Sequence, residues 1–168
     1  MRTWSYGMLM CLGLATTGTR AAEPSPTAIF GFELHDTSLQ GEKQGPRADE
    51  QQRLGALDTE LRDALTRSGC CTVVDLGPVA LQSRGMDMRT CDGCDVELAR
   101  KTAAKISVTG WVQKVSNLIL NINVVAREVG TDKVIEAGSV DIRGNTDESW
   151  SRGLSYLLRQ RLHPSDWR

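Results

Sequence analysis

The stretch that decides the fold is Ile106–Arg143, which reads ISVTGWVQKVSNLILNINVVAREVGTDKVIEAGSVDIR. Apolar and polar residues alternate in three runs of about ten residues, which is the period of a strand with one buried face. The runs are separated by Ser116-Asn117 and by Gly130-Thr131-Asp132, and these residue types are common in tight turns. The stretch therefore predicts an antiparallel meander with strands over residues 106–115, 118–127 and 134–143.

Two strands and two helices are predicted before the meander. The two helices are predicted from apolar periodicity and capping signals. Apolar residues recur at spacings of three and four in the first helix, and Ser68-Gly69 ends it. Asp95 is a favourable residue at the start of the second helix. The four elements are a strand over Thr27–Leu34, a helix over Ala48–Arg67, a strand over Cys71–Leu76 and a helix over Asp95–Ala104. Residues 35–47 and 79–90 are expected to be loops, the first of them mobile and the second with one helical turn at most.

A last helix is predicted over residues 146–162, with Trp150 and Leu157 on its apolar stripe. Asn145 with Glu148 three residues later is typical of a capping box, and Pro164 ends the helix. Trp111 is expected in the core. The order β-α-β-α-β-β-β-α indicates a mixed α/β fold with a single mixed sheet and helices packed on it.

Composition excludes several classes of protein. Of 168 residues, 40% are hydrophobic and 24% are charged, which is too apolar for a disordered chain. The 20 Lys and Arg residues against 21 Asp and Glu residues leave no strong basic field, so a nucleic-acid partner is not expected.

The first 21 residues have the pattern of a secretory signal peptide. Arg2 is followed by the short apolar run Met8–Ala15, and Thr19 and Ala21 are small residues suited to cleavage after Ala21. Residues 22–168 are then expected to form a single exported domain, without a membrane span, in the periplasm. Cleavage removes Arg2 and Arg20, so its formal charge would be 18 − 21 = −3.

Four cysteines remain after cleavage: Cys70, Cys71, Cys91 and Cys94. An even number in an exported protein predicts disulfides. A bond between adjacent cysteines closes a strained eight-membered ring, so two cross-links between Cys70/Cys71 and Cys91/Cys94 are favoured. A local Cys91–Cys94 bond is the second choice, and it leaves open a redox-active C-x-x-C.

Two other uses of the cysteines are weaker. The Cys70-Cys71 doublet is a poor zinc knuckle, and Asp95 stands where haem attachment requires His. Neither His35 nor His163 has a catalytic or metal-binding spacing, and there is no phosphate loop, nucleophile elbow or paired carboxylate. No metal site, cofactor or catalytic set is therefore predicted.

The most unusual segment is Asp141–Trp150, where a strand end meets a helix start. We consider its polar residues candidates for partner binding, and a purely structural role in capping and pairing is the alternative. These candidates are Asp141, Arg143, Asn145, Asp147 and Glu148.

The order of elements resembles the amino-terminal domain of TolB and the periplasmic domain of CsgG. The likeness lies in a strand ending at Phe32-Glu33, a helix closing at Ser68-Gly69, and the following Thr72–Asp75. In both families a helix and a β-hairpin follow, as in residues 99–125 here. Residues 141–150 are similar to the signature of an uncharacterised proteobacterial family of exported proteins, some of whose genes lie near quinoprotein dehydrogenase genes.

These resemblances imply a periplasmic domain that docks onto partner proteins and has no catalytic residues. The leading hypothesis is a non-enzymatic accessory or assembly protein for an envelope or exported enzyme system, such as a quinoprotein dehydrogenase. The alternative is a thiol–disulfide accessory protein that uses Cys91 and Cys94.

Overall fold

A computed structural model describes residues 23–167, so the predicted signal peptide lies outside the described residues. One sheet of five strands runs in the order β2-β1-β3-β4-β5. β1 is parallel to β2 and β3, and β3, β4 and β5 are antiparallel neighbours. The strands are β1 Ser25–Asp36, β2 Cys71–Val73, β3 Ile106–Ser116, β4 Ile119–Glu128 and β5 Val134–Ile142. The predicted meander and the mixed α/β class are confirmed.

Five helices connect and cover the strands in the described part of the chain. They are α1 Leu39–Gln44, α2 Ala48–Arg67, α3 Ala80–Ser83, α4 Cys94–Arg100 and α5 Asp147–Gln160, with short 3-10 turns at Gly77–Val79 and Pro164–Asp166. α2 has the predicted bounds. The prediction that residues 35–47 form a mobile loop is wrong in part, because β1 continues to Asp36 and α1 follows. Ser38 caps α1, since its side chain accepts a hydrogen bond from the Gly41 N–H.

The main core lies between one face of the sheet and the helices α2 and α5. The predicted stripe of α2 is buried there, and so is the α5 stripe, with Trp150 only 1% exposed. Gly110 on β3 permits close packing in this core, because a Cβ at that position would lie 2.6 Å from the Phe32 ring.

The opposite face of the sheet is only partly covered. α4 packs on it through Val96 and Ala99, which form a second small cluster with Ala28 of β1. Further along this face, alternate side chains of β3, β4 and β5 are exposed or half-exposed. The sheet therefore has one closed face and one open face.

β1 bulges at Gly31, where the register with β3 shifts between Ile29 and Phe32. Gly31 has φ +86°, and a Cβ there would lie 2.7 Å from the Asp58 carboxylate. This carboxylate accepts a hydrogen bond of 2.6 Å from the Phe32 N–H. The bulge interrupts the β1–β3 ladder at this point, so α2 supplies the acceptor that the Phe32 N–H would otherwise lack. Burial raises the pKa of Asp58 to about 6, although the Phe32 N–H and Arg62 favour the charged form.

We expect Asp58 to give a pH-dependent term in stability with a definite sign. Its folded pKa of about 6 exceeds the ordinary Asp pKa of 3.8 expected in the unfolded chain, so its contribution is full below about pH 3.8 and is lost as pH rises through about 6. Between pH 7 and pH 4 the wild type should gain about 1 to 2 kcal/mol relative to Asp58→Asn, with allowance for partial exposure. Urea unfolding at stepped pH measures this. Asp63→Asn is an exposed change on the same helix, and its unfolding free energy should depend on pH as that of the wild type does. The same pH dependence in Asp58→Asn would contradict the raised pKa of Asp58.

The expected cross-links between the two cysteine pairs are wrong. The structure bonds Cys70 to Cys71 and Cys91 to Cys94. Cys70 and Cys71 are buried in the main core on the α2 side, whereas the Cys91–Cys94 bridge lies at the start of α4 on the opposite face. The sheet separates the two pairs, so a bond between them would have to pass through it.

Candidate functional site: a polar network and an open sheet face

A network of buried charges lies where the carboxyl ends of β1 and β3 meet the start of α2. The fully buried Lys114 Nζ is 2.7 Å from Glu50 Oε1 and 3.0 Å from Asp36 Oδ2. It also donates to Gln40 Oε1 at 3.3 Å, which brings α1 against β3. One lysine thus links two strands and two helices.

The charges in this network stabilise one another. Burial alone would lower the pKa of Lys114, but the hydrogen bonds and charges of Glu50 and Asp36 outweigh burial and raise that pKa. Burial alone would raise the pKa of Asp36, and hydrogen bonds from Ser38 and Lys114 lower it instead. Lys114 and Asp36 are therefore both charged at neutral pH.

Asn145 extends the network to the loop before α5. Its Nδ2 donates to Glu50 Oε1 at 2.6 Å, and its Oδ1 accepts from Trp150 Nε1 at 3.0 Å. The sequence predicted that Asn145 caps α5, and this prediction is wrong. Thr146 holds that position, because its hydroxyl accepts from the Ser149 N–H. The capping prediction was displaced by one residue because Asn145 is bound in the network.

The structure does not bring the five candidate partner-binding residues together. Asn145 and Asp147 are linked through Arg53, whose Nε is 2.7 Å from Asp147 Oδ1. The other three lie apart and exposed: Asp141 accepts from Asn121 on the open face, Arg143 offers its carbonyl to Ser149, and Glu148 pairs with Arg152 along α5. No group of three potential metal ligands occurs within residues 23–167, and a role of these five residues in partner binding stays a prediction.

Large apolar side chains are exposed at the end of the sheet formed by the β3–β4 turn. Val115, Leu118 and Ile119 are 51%, 72% and 46% exposed. Leu39 on α1, 73% exposed, directly precedes Gln40, which accepts a hydrogen bond from Asn117 in the turn. We call these four apolar residues the hairpin end. Since folding does not bury them, they are available to a partner.

The open face carries two adjacent rows of mostly polar side chains. Strand register aligns them across β1, β3, β4 and β5. The first row is Glu33, Trp111, Asn123 and Ser139, and the second is His35, Gln113, Asn121 and Asp141. The expectation that Trp111 belongs to the core is wrong. Gly110 and Val112 are buried on the core side of β3, so strand alternation places Trp111 on the open face.

A groove of about 430 Å³ lies beside Trp111, between the open face and the segment after α3. Glu33, Met86 and Arg89 contribute to its walls. Both carboxylate oxygens of Glu33 accept the Met88 N–H, at 3.1 Å each. The groove was not visible in the sequence because its walls come from β1, β3 and a segment predicted as loop.

Comparison with solved structures places the fold in a known class. The chain resembles the C-terminal domain of LpoB from Salmonella enterica, with 17% identity and a TM-score of 0.51 over 74% of this chain and 87% of that one. The same domain from Escherichia coli gives 16% identity and a TM-score of 0.51 over 73% and 85%. A PelC dodecamer subunit from Paraburkholderia phytofirmans is 14% identical, with a TM-score of 0.49 over 88% and 91%. The LpoB comparisons show that the fold is that of an LpoB-like α/β domain, and these structures do not support the expected likeness to the amino-terminal domain of TolB or to CsgG.

The chain itself belongs to the DUF3280 family, described as "Protein of unknown function (DUF2380)", whose model matches residues 25–162. The expectation of an uncharacterised family is thereby confirmed. No curated protein matches the chain. Within the described residues, no helix is both long and apolar enough to cross a membrane.

Proposed function

We propose that this chain is an exported, non-enzymatic accessory domain that binds a protein partner of an envelope or exported enzyme system. The single observation that carries the proposal is the hairpin end, where Leu39, Val115, Leu118 and Ile119 are exposed beside the buried Lys114 network. The signal-peptide pattern of residues 1–21 supports export to the periplasm, and the domain would comprise residues 22–168. A quinoprotein dehydrogenase system is one candidate source of the partner.

The buried network supports this use of the hairpin end. Lys114, Glu50 and Asn145 fix the β3–β4 turn, α1 and the loop before α5 to one another. A pre-organised surface loses less conformational entropy when it binds, so its exposed apolar side chains contribute more to affinity. The network therefore acts as a support, and the apolar residues are proposed to make the contact.

Site-specific photo-crosslinking in the native exporting cell tests the proposal. A photoreactive residue at position 118 should give a discrete protein adduct, identified by mass spectrometry. The same residue at position 134 is the control, since Val134 is 52% exposed and pairs with Arg127, at the end of the sheet away from the β3–β4 turn. Adduct at neither position, or equal adducts at both, would count against the hairpin end as a docking surface, and lipid adducts at 118 would indicate a membrane surface instead.

Thiol–disulfide exchange at Cys91–Cys94 is a second candidate function. It is favoured by the local bridge, because the two cysteines are only partly buried and the bond closes a short loop. In the chain-entropy model such a loop contributes about 2 kcal/mol, so the bridge is of limited structural value. Graded redox titration with mass spectrometry tests this role. Reduction near −200 mV favours redox work, and a potential below about −300 mV favours a structural bond.

A further inference from the structure

The groove beside Trp111 combines an aromatic ring with the carboxylate of Glu33. In the described part of the chain no cationic group lies within ion-pair distance of Glu33, and its carboxylate is held in place by the Met88 N–H. Burial raises the pKa of Glu33 and the nearby Asp87 raises it further, against the lowering effects of the Met88 N–H and of the Arg89 charge. Glu33 therefore presents a partly desolvated negative charge to the groove.

Trp111 differs from the two tryptophans of the core. Trp150 and Trp167 are nearly fully buried, and their indole N–H groups donate to Asn145 and Glu136. Trp111 is half-buried, and among residues 23–167 its indole N–H has no hydrogen-bond acceptor. On β3 it is the register partner of Glu33 on β1, so ring and carboxylate are neighbours on the same face.

The other charged groups of the groove leave a net negative charge. Arg89 Nη2 is 3.1 Å from Asp87 Oδ2, so these two charges compensate each other. His35 Nδ1 is 3.4 Å from Arg89 Nη2. The charge of Glu33 remains, which disfavours an anionic ligand and favours a cation.

We propose that this groove binds the ammonium or guanidinium group of a Lys or Arg side chain from the partner protein. The carboxylate of Glu33 forms the ion pair, and the ring of Trp111 packs on the cation and its aliphatic stem. Met86, which is 41% exposed, supplies a further apolar surface for the stem. The inference rests on the proposed partner binding, and it adds the chemistry that the partner must present near the hairpin end.

Binding of a small probe tests the groove without the partner. The probe is Nα-acetyl-lysine methylamide, with the norleucine analogue as the uncharged comparison. The readout is the indole ¹⁵N–¹H resonance of Trp111, assigned through its loss in Trp111→Phe. We expect weak saturable binding, with a Kd on the order of 10 mM, for the lysine probe only.

Substitution of Glu33 separates charge from loop support. Glu33→Gln keeps an acceptor for the Met88 N–H and should raise the Kd of the lysine probe at least about fivefold. Asp63→Asn removes an exposed carboxylate of α2, on the other side of the sheet from the groove, and should leave binding unchanged. Equal shifts with the norleucine probe, no shift at about 50 mM lysine probe, or equal affinity in Glu33→Gln would overturn the proposal. Each of these results would leave crosslinking at position 118 as a separate test of partner binding.

Discussion

We expect Lys114→Met to lower the free energy of unfolding by about 3 to 5 kcal/mol, the largest effect of any single polar substitution considered. Met has a similar length, so the loss would come from charge rather than from a cavity. Lys114 has no exposed side-chain surface, and Glu50 is only 1% exposed. Without the ammonium group, Glu50 and Asp36 would lie buried or half-buried with no counter-charge. Urea unfolding at pH 7, monitored by circular dichroism, gives the difference.

Two further variants make this result interpretable. Lys133→Met, in the exposed turn before β5, should change stability by no more than about 0.5 kcal/mol. Lys114→Met with Glu50→Leu removes the unpaired charge and should regain at least about 1 kcal/mol over the single variant. A loss below about 1 kcal/mol for Lys114→Met would mean that the network does not hold the hairpin end in place.

The elements that could be predicted from the sequence are those with a strong local period. The meander follows from alternation, and α2 has the predicted bounds because its leucines recur at helical spacing and Gly69 ends it. α1 was not predicted because its six residues include no buried side chain, and its sequence therefore has no apolar stripe. β2 and α4 are shorter than predicted, since tertiary packing decides where such short elements end.

The candidate site could be predicted only in part, because its contacts join distant positions. Lys114 and Glu50 are 64 residues apart, and no spacing rule connects them. One signal was nevertheless available. Lys114 follows Val108, Gly110 and Val112 on the buried face of β3, and a buried lysine requires a carboxylate partner. Glu50 lies on the apolar stripe of α2, four residues before Leu54, and it is the carboxylate that fits.

The second large effect is expected from Leu61→Ala, which should lower the free energy of unfolding by about 2 to 5 kcal/mol. Leu61 lies in the middle of α2, is fully buried, and belongs to the main core under β1. Truncation removes apolar contact area and leaves a cavity that α2 cannot close, because Asp58 holds the same helix to the β1 bulge. The midpoint of urea unfolding should fall while the denaturant slope stays unchanged.

Leu81→Ala on α3 is the matched control, with the same chemical change at a side chain that is 81% exposed. It should alter stability by no more than about 0.5 kcal/mol. Equal losses at both positions would contradict the packing of α2 on the sheet. Because the hairpin end lies on the β3–β4 turn, Leu61→Ala should also preserve crosslinking at position 118 wherever the variant remains folded. Loss of stability together with retained docking would separate the core that holds the domain from the surface that we propose binds the partner.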